Sequence, residues 1–153
     1  MDEAIDAWIF ARSETRELLK TLDDQQLLFT PQGDKWQPLY YQFACMVRTQ
    51  LVYAKALQMG VMDNSYFDNP SFHDKHDLKT RMALETALDA AVPIWKDAIA
   101  TGNSVNWYGK QVSTAGHIYH LISHERLHHG QLISYFTLAG YELPQAFKQN
   151  WAL

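Results

Sequence analysis

The sequence predicts an all-α protein, a four-helix bundle. Apolar residues recur at helical spacing over four segments of about 20 residues. Turn chemistry separates those segments, and no stretch shows strand-like alternation of any length. Helices of that size are each ~30 Å long, and side-by-side packing is the economical way to bury their apolar faces. The 153 residues are 47% hydrophobic and 20% charged, which suits one globular domain over residues 1–153.

The first helix is expected over residues 2–22. Ile5, Trp8, Ile9, Leu18, Leu19 and Leu22 recur at helical spacing, and Asp2 and Glu3 suit the positive end of the helix dipole. Residues 30–35 read as a loop. The second helix starts near Pro38, a good first-turn residue, and ends before Gly60. Its polar residues Arg48, Lys55 and Gln58 share one narrow sector, and the rest reads as apolar or small. So wide an apolar arc must be covered on more than one side. Residues 60–77 form the longest irregular stretch, rich in turn-forming Asn, Asp and Pro, and its length permits a crossover connection. The third helix is expected over residues 79–100, with a kink at Pro93. Residues 107–110 read as a loop. The fourth helix spans residues 114–139 and stops at Gly140, a typical cap position. The tail, with Pro144, Phe147 and Trp151, is expected to pack across the bundle.

Composition narrows the function. Lys plus Arg is 13 and Asp plus Glu is 17, a formal charge of −4, whereas a nucleic-acid partner calls for a basic footprint. No apolar run approaches the ~20 residues of a membrane span. The acidic start lacks the basic opening of a signal peptide. The single cysteine, Cys45, cannot form an internal disulfide. A cytoplasmic protein is the expectation.

The chemistry is concentrated in one helix. Five of the seven histidines lie in residues 117–129. At ~100° per residue, His117, His120, His124 and His128 fall within ~80° of one another, alongside Leu121, Leu127, Gln131 and Tyr135. His129, Glu125 and Arg126 point away. Burying four unpaired imidazoles would cost several kcal/mol, which a metal or a dense hydrogen-bond network relieves. Two imidazoles four residues apart can chelate one divalent ion, and Cys45 is the attractive third ligand, with the small residues Thr49, Val52 and Ala56 on its face. An inert buried thiol is the plainer alternative for Cys45. His73 and His76, in the long loop, read as solvated residues or as a lid. Residues 124–128 also spell His-Glu-x-x-His, the zincin signature, with glutamate as base beside a zinc-bound water. The lack of flanking strands, and the ~100° between Glu125 and the ligand face, argue against it.

The run His120-Leu121-Ile122-Ser123-His124-Glu125-Arg126-Leu127-His128-His129-Gly130-Gln131 resembles the DinB/YfiT-like metal-binding four-helix bundles. Those carry a His-x-x-x-His pair, a variable residue and then Gly-Gln. Residues 36–46 resemble the family's Trp-x-x-x-x-x-Phe-x-His region, with one more residue between Trp36 and Phe43 and with Cys45 in the place of the histidine. Residues 107–109, 143–144 and 151–153 extend the likeness.

The resemblance implies a divalent ion, zinc or nickel, on Cys45, His124 and His128. It also implies a homodimer and a small-molecule substrate, with a low-molecular-weight thiol as cosubstrate in S-transferase or isomerase chemistry, or else a hydrolase. Thiolate suits zinc, but cysteine is shorter than histidine, so the second helix must approach closely or a water must intervene. His120 is the candidate for hydrogen bonding to the ligands or for proton transfer, and Gln131 and Tyr135 for orienting a substrate. The rival reading is a non-catalytic metal- or redox-responsive dimer, its site closed by His117 or His120. A dimer would also cover Phe43, Val47 and Ala54, which lie opposite Cys45 on the second helix. The alternative cover is the C-terminal tail.

Overall fold

The computed structural model describes residues 2–68 and 78–153. The sequence candidates His73 and His76 lie outside the described residues. Four long helices form the frame: α1 (Asp2–Lys20), α3 (Leu39–Met59), α4 (Arg81–Ala100) and α5 (Thr114–Ala139). A single turn of helix, α2 (Asp24–Leu27), follows α1, and α6 (Gln145–Trp151) closes the chain. The first segment therefore ends at Lys20, not Leu22. Asp23 caps α2 with a full capping box, its side chain accepting from the Gln26 amide while Gln26 reaches back to the Asp23 N–H.

The loop expected at residues 107–110 is instead part of a small antiparallel hairpin, β1 (Val105–Trp107) with β2 (Lys110–Val112). Its two-residue turn, Tyr108-Gly109, has positive φ at both positions, the geometry that matches the twist of a tight hairpin. Three-residue strands are too short to show alternation, which is why periodicity missed them.

The apolar core falls into two clusters. One holds Leu18 and Leu22 of α1, Phe43 and Val47 of α3, Leu84 and Leu88 of α4, and Leu132 and Phe136 of α5. The other holds Trp8, Val52, Leu57, Trp95, Ile99, Ile118 and Leu121. Traced through them, α1 and α5 run one way while α3 and α4 run the other. The end of α3 and the start of α4 thus lie at opposite ends of the bundle, the crossover order that the long connection allowed. Between the clusters, α1, α3 and α5 each present polar residues, among them Arg12, Thr15, Thr49, Gln50, Glu125 and His128. The candidate site lies in this middle layer.

Two sequence expectations change. Phe43, Val47 and Ala54 are at most 1% exposed within the single chain, in core clusters that hold side chains of α4 and, for Phe43 and Val47, Phe147 of the tail, so they require no second copy as cover. The remainder of α3 is not uniformly apolar either, because Gln42 and Gln50 are buried polar residues. The tail packs as expected: Phe147 is buried against the His129 ring, and Arg126 stacks on Trp151. No helix among the described residues is long and apolar enough to cross a membrane.

Gly130 sits in the interior of α5, and a Cβ built there meets no atom within 4 Å. Gly130→Ala is therefore expected to stabilise the isolated chain by about 0.5–1 kcal/mol, read as a higher urea midpoint. A loss of stability would mean that something the chain itself does not supply packs there.

Candidate metal centre

α3 and α5 bring together Cys45, His124 and His128. One ligand atom from each lies within 4.8 Å of the others. His124 Nε2 is 3.3 Å from His128 Nε2 and 3.8 Å from Cys45 Sγ. Two nitrogens bound tetrahedrally at about 2.0–2.1 Å stand roughly 3.3–3.4 Å apart, and a sulfur at about 2.3 Å stands roughly 3.6 Å from each nitrogen. The donor set and its spacing therefore fit a zinc-like ion. The sulfur reaches the pair because α3 packs directly on α5, the close approach a cysteine in this position requires.

The hydrogen bonds around His128 have one consistent polarity. His128 Nδ1–H donates to Gln42 Oε1 at 2.8 Å, Gln42 Nε2 donates to the Tyr135 hydroxyl at 3.1 Å, and that hydroxyl donates to the Gln37 carbonyl at 2.6 Å. With its proton committed at Nδ1, neutral His128 presents the Nε2 lone pair towards His124 and Cys45. A fixed tautomer of this kind orients an imidazole ligand and raises its basicity. The Thr49 hydroxyl lies 3.3 Å from His124 Nε2. Gln42 and Thr49 are the members that sequence reasoning missed as polar participants. Gln42 stands one turn before Cys45 on a helix otherwise apolar there, which was the available signal.

The other histidines have different employment. His117 is fully buried. It accepts from Trp107 Nε1–H at Nδ1 (2.9 Å) and donates from Nε2 to the Tyr53 carbonyl (3.0 Å), so no lone pair remains for an ion. Burial, opposed by the bond to Tyr53, lowers its pKa to about 4. Between roughly pH 6.5 and pH 4 the unfolded chain takes up a proton that the folded one refuses. Stability is thus expected to fall as pH drops through that window, by up to ~1.4 kcal/mol per pH unit from this residue. Urea midpoints of metal-free protein at pH 7 and pH 5 check this, and equal midpoints would refute it. His120 is exposed, with its ring edge-on against Trp107 at 4.7 Å.

The residues expected to leave the histidine stripe are not idle. Glu125 and His129 are 1% and 3% exposed and face α1, whereas Leu127, expected on the buried stripe, is 60% exposed. Arg126 donates to His129 Nδ1 at 3.1 Å, and His129 Nε2–H donates to Thr15 Oγ1 at 2.7 Å. The Thr15 hydroxyl donates to Glu125 Oε1. Arg12 Nη2 lies 3.2 Å from Glu125 Oε2 and donates to Gln50 Oε1 at 2.7 Å. Burial, and then the charges of Arg126 and Arg12, push the His129 pKa down to about 3. Glu125 therefore belongs to the contact between α1 and α5, on another side of α5 from the ligand pair. The zincin arrangement, with this carboxylate beside the ion, is not what the chain forms. Nearby, Glu14 accepts from Arg126, from Asn150 and from Trp151 Nε1, which ties α6 to α1.

A cleft of about 360 Å³ opens beside His128. Trp36, Tyr41 and Tyr135 form aromatic wall, and Lys35, Gln42 and Gln131 also line it. Neither His117 nor His120 belongs to the donor cluster, so no fourth protein ligand closes it among the described residues.

A model of the DinB superfamily matches residues 7–132. The chain belongs to the DinB superfamily. Among solved structures, a DinB-like protein from Bacillus subtilis is similar at a TM-score of 0.69 and 16% identity, over 93% of this chain and 96% of the other. A DinB-like protein from Bacillus cereus is similar at a TM-score of 0.72 and 13% identity, over 94% and 95% of the two chains. Likeness at such identities speaks for the fold alone. No curated protein matches the sequence. Within the DinB fold, this chain sets Cys45 where the sequence resemblance expects a histidine, and Cys45, His124 and His128 could hold a metal ion.

Proposed function

We propose that this DinB-superfamily chain is a divalent-metal-dependent enzyme acting on a small molecule. The observation that carries the reading is the convergence of the Cys45, His124 and His128 donor atoms within 4.8 Å, next to an open cleft. Mixed thiolate and imidazole ligation favours zinc over harder ions. An ion there would supply Lewis-acid activation of a thiol or a water at its open position. Such activation serves S-transfer or isomerisation with a low-molecular-weight thiol, or hydrolysis.

The chain's own residues have definable parts. Cys45, His124 and His128 hold the ion, and Gln42 keeps the His128 lone pair on it. Tyr135 is tied up by Gln42 and Gln37, so it shapes the cleft rather than exchanging protons there. Gln131, on the cleft wall, orients substrate. His120, one turn before the pair and exposed, is placed to exchange protons with solvent. A site for catalysis needs an open position, whereas a structural or sensing site closes with a fourth protein ligand. The lack of such a ligand among the described residues favours the enzyme over the metal- or redox-responsive bundle.

Protein purified without a nickel column is expected to contain about one divalent ion per chain. Replacement by cobalt should give a thiolate-to-cobalt charge-transfer band that Cys45→Ala removes. A chain that retains no ion, or a band that survives Cys45→Ala, overturns the assignment. Gln42→Leu is expected to weaken metal affinity about 10–100-fold by freeing the His128 tautomer, measured by competition with a chromophoric chelator.

A further inference from the structure

The line of hydrogen bonds that starts at His128 does not stop in the bundle core. It passes through Gln42 and Tyr135 and ends on the Gln37 carbonyl, in the loop that forms one wall of the cleft. Among the described residues, 31–37 of that loop make a single hydrogen bond to the rest of the chain, and it is this one, from the Tyr135 hydroxyl at 2.6 Å. The Trp36 ring also stands edge-on to the Tyr135 ring, with 5.3 Å between centres. Tyr135 is thus the main tie between the loop and α5.

A tyrosine hydroxyl has one proton to give. In the polarity described above, Tyr135 accepts from Gln42 and gives its proton to Gln37. If the His128 proton sits on Nε2 instead, Nδ1 becomes an acceptor. The Gln42 amide then turns over to donate to it, and Gln42 Oε1 faces Tyr135. The hydroxyl proton is drawn to Gln42, and the Gln37 carbonyl faces an oxygen that offers it none. Holding the loop and presenting the His128 Nε2 lone pair are therefore one state of the line. An ion on Nε2 admits that state alone.

We propose that ion occupancy sets the Trp36 wall of the cleft, with Tyr135 the positioning residue that links His128 to Gln37. This rests on reading the site as a metal centre, and it names how that site is regulated. The loop carrying Lys35, Trp36 and Gln37 is held when the ion is bound and is partly released when it is not. By reciprocity, a small molecule seated against the held wall tightens the ion.

Trypsin reads the loop directly, because Lys35 is exposed and its bond to Trp36 lies within the loop. The whole chain is digested briefly with zinc or with chelator, and cleavage after Lys35 is followed by mass. An unstructured reference peptide in the same tube corrects for effects on the protease. Zinc is expected to slow that cleavage by about three- to fivefold, the weight of one hydrogen bond in an opening equilibrium. Two substitutions should then part in opposite directions. Tyr135→Phe keeps the ring against Trp36 but has no proton to give, so cleavage should be fast with and without zinc, while zinc still raises the melting temperature. Gln42→Leu removes the competing acceptor and leaves the hydroxyl only Gln37 to donate to. Its cleavage without zinc should be as slow as that of the zinc-loaded parent, whereas a merely structural role would make both variants fast. Equal rates with and without zinc in the unaltered chain, zinc-dependent slowing that survives Tyr135→Phe, or fast zinc-free cleavage in Gln42→Leu would each overturn the proposal. Zinc content is measured on the same samples. A chain that holds no zinc fails the metal reading and the coupling together, whereas a zinc-loaded chain whose loop does not respond fails the coupling alone.

Discussion

Replacing Arg12 with methionine is expected to destabilise the folded chain by about 3–5 kcal/mol. Arg12 is 3% exposed, and the Glu125 carboxylate it faces is 1% exposed. Removing the guanidinium leaves that carboxylate with the Thr15 hydroxyl as its main partner, inside a layer closed by α1, α3 and α5. An uncompensated buried charge is among the few single changes that approach a domain's entire stability. The Arg12 pKa is itself lowered by burial, with the Glu125 charge opposing that loss. The pair is therefore costly to form, and removing both members should cost far less than removing one. Arg12→Met combined with Glu125→Leu is expected to recover most of the lost stability, as a double-mutant cycle in urea would show. A double variant as unstable as the sum of the two singles would mean the residues do not interact. The same series separates scaffold from chemistry: Glu125→Gln should retain the metal ion, because this carboxylate faces α1 and not the ligands.

That network also marks the limit of what the sequence disclosed. Helical periodicity predicted the four long helices, and Pro38, Gly60 and Gly140 marked ends that the structure shares. The proximity of His124 and His128 was legible because a local i, i+4 spacing specifies it. Cys45 was legible as the candidate third ligand from its small neighbours and its place in a family pattern. Glu125 and His129 were misplaced because a helix touching two neighbours buries two flanks. A polar residue on the second flank looks like a solvated one until its partner is known. Here the partner is Thr15, 110 residues from Glu125, and no local rule connects them. Gln42 was hidden in a similar way, since its role depends on Tyr135, 93 residues away. The hairpin at Val105–Val112 escaped for a different reason, being shorter than one recognisable period.

His124→Ala and His128→Ala are each expected to abolish stoichiometric metal binding. The loss should exceed about 100-fold in affinity, the upper end of what a residue merely supporting a ligand costs. With the donors 3.3 Å apart on successive turns of α5, deleting either leaves one imidazole and one thiolate, too few to hold an ion with open positions. Binding to the folded state alone raises stability by about 2.7 kcal/mol at a free metal concentration 100 times the dissociation constant. Unaltered protein should therefore melt at a higher temperature with zinc than with chelator. Both alanine variants should melt alike under the two conditions. Cys45→His provides the control in the opposite direction. It is expected to keep the zinc-dependent rise in melting temperature while losing the thiolate-to-cobalt band, because imidazole replaces sulfur at the same position on α3. If Cys45→Ala left both metal content and the melting shift untouched, the sulfur would be a neighbour of the ion and not a ligand. The centre would then reduce to the two histidines of α5, with Gln42 fixing one of them.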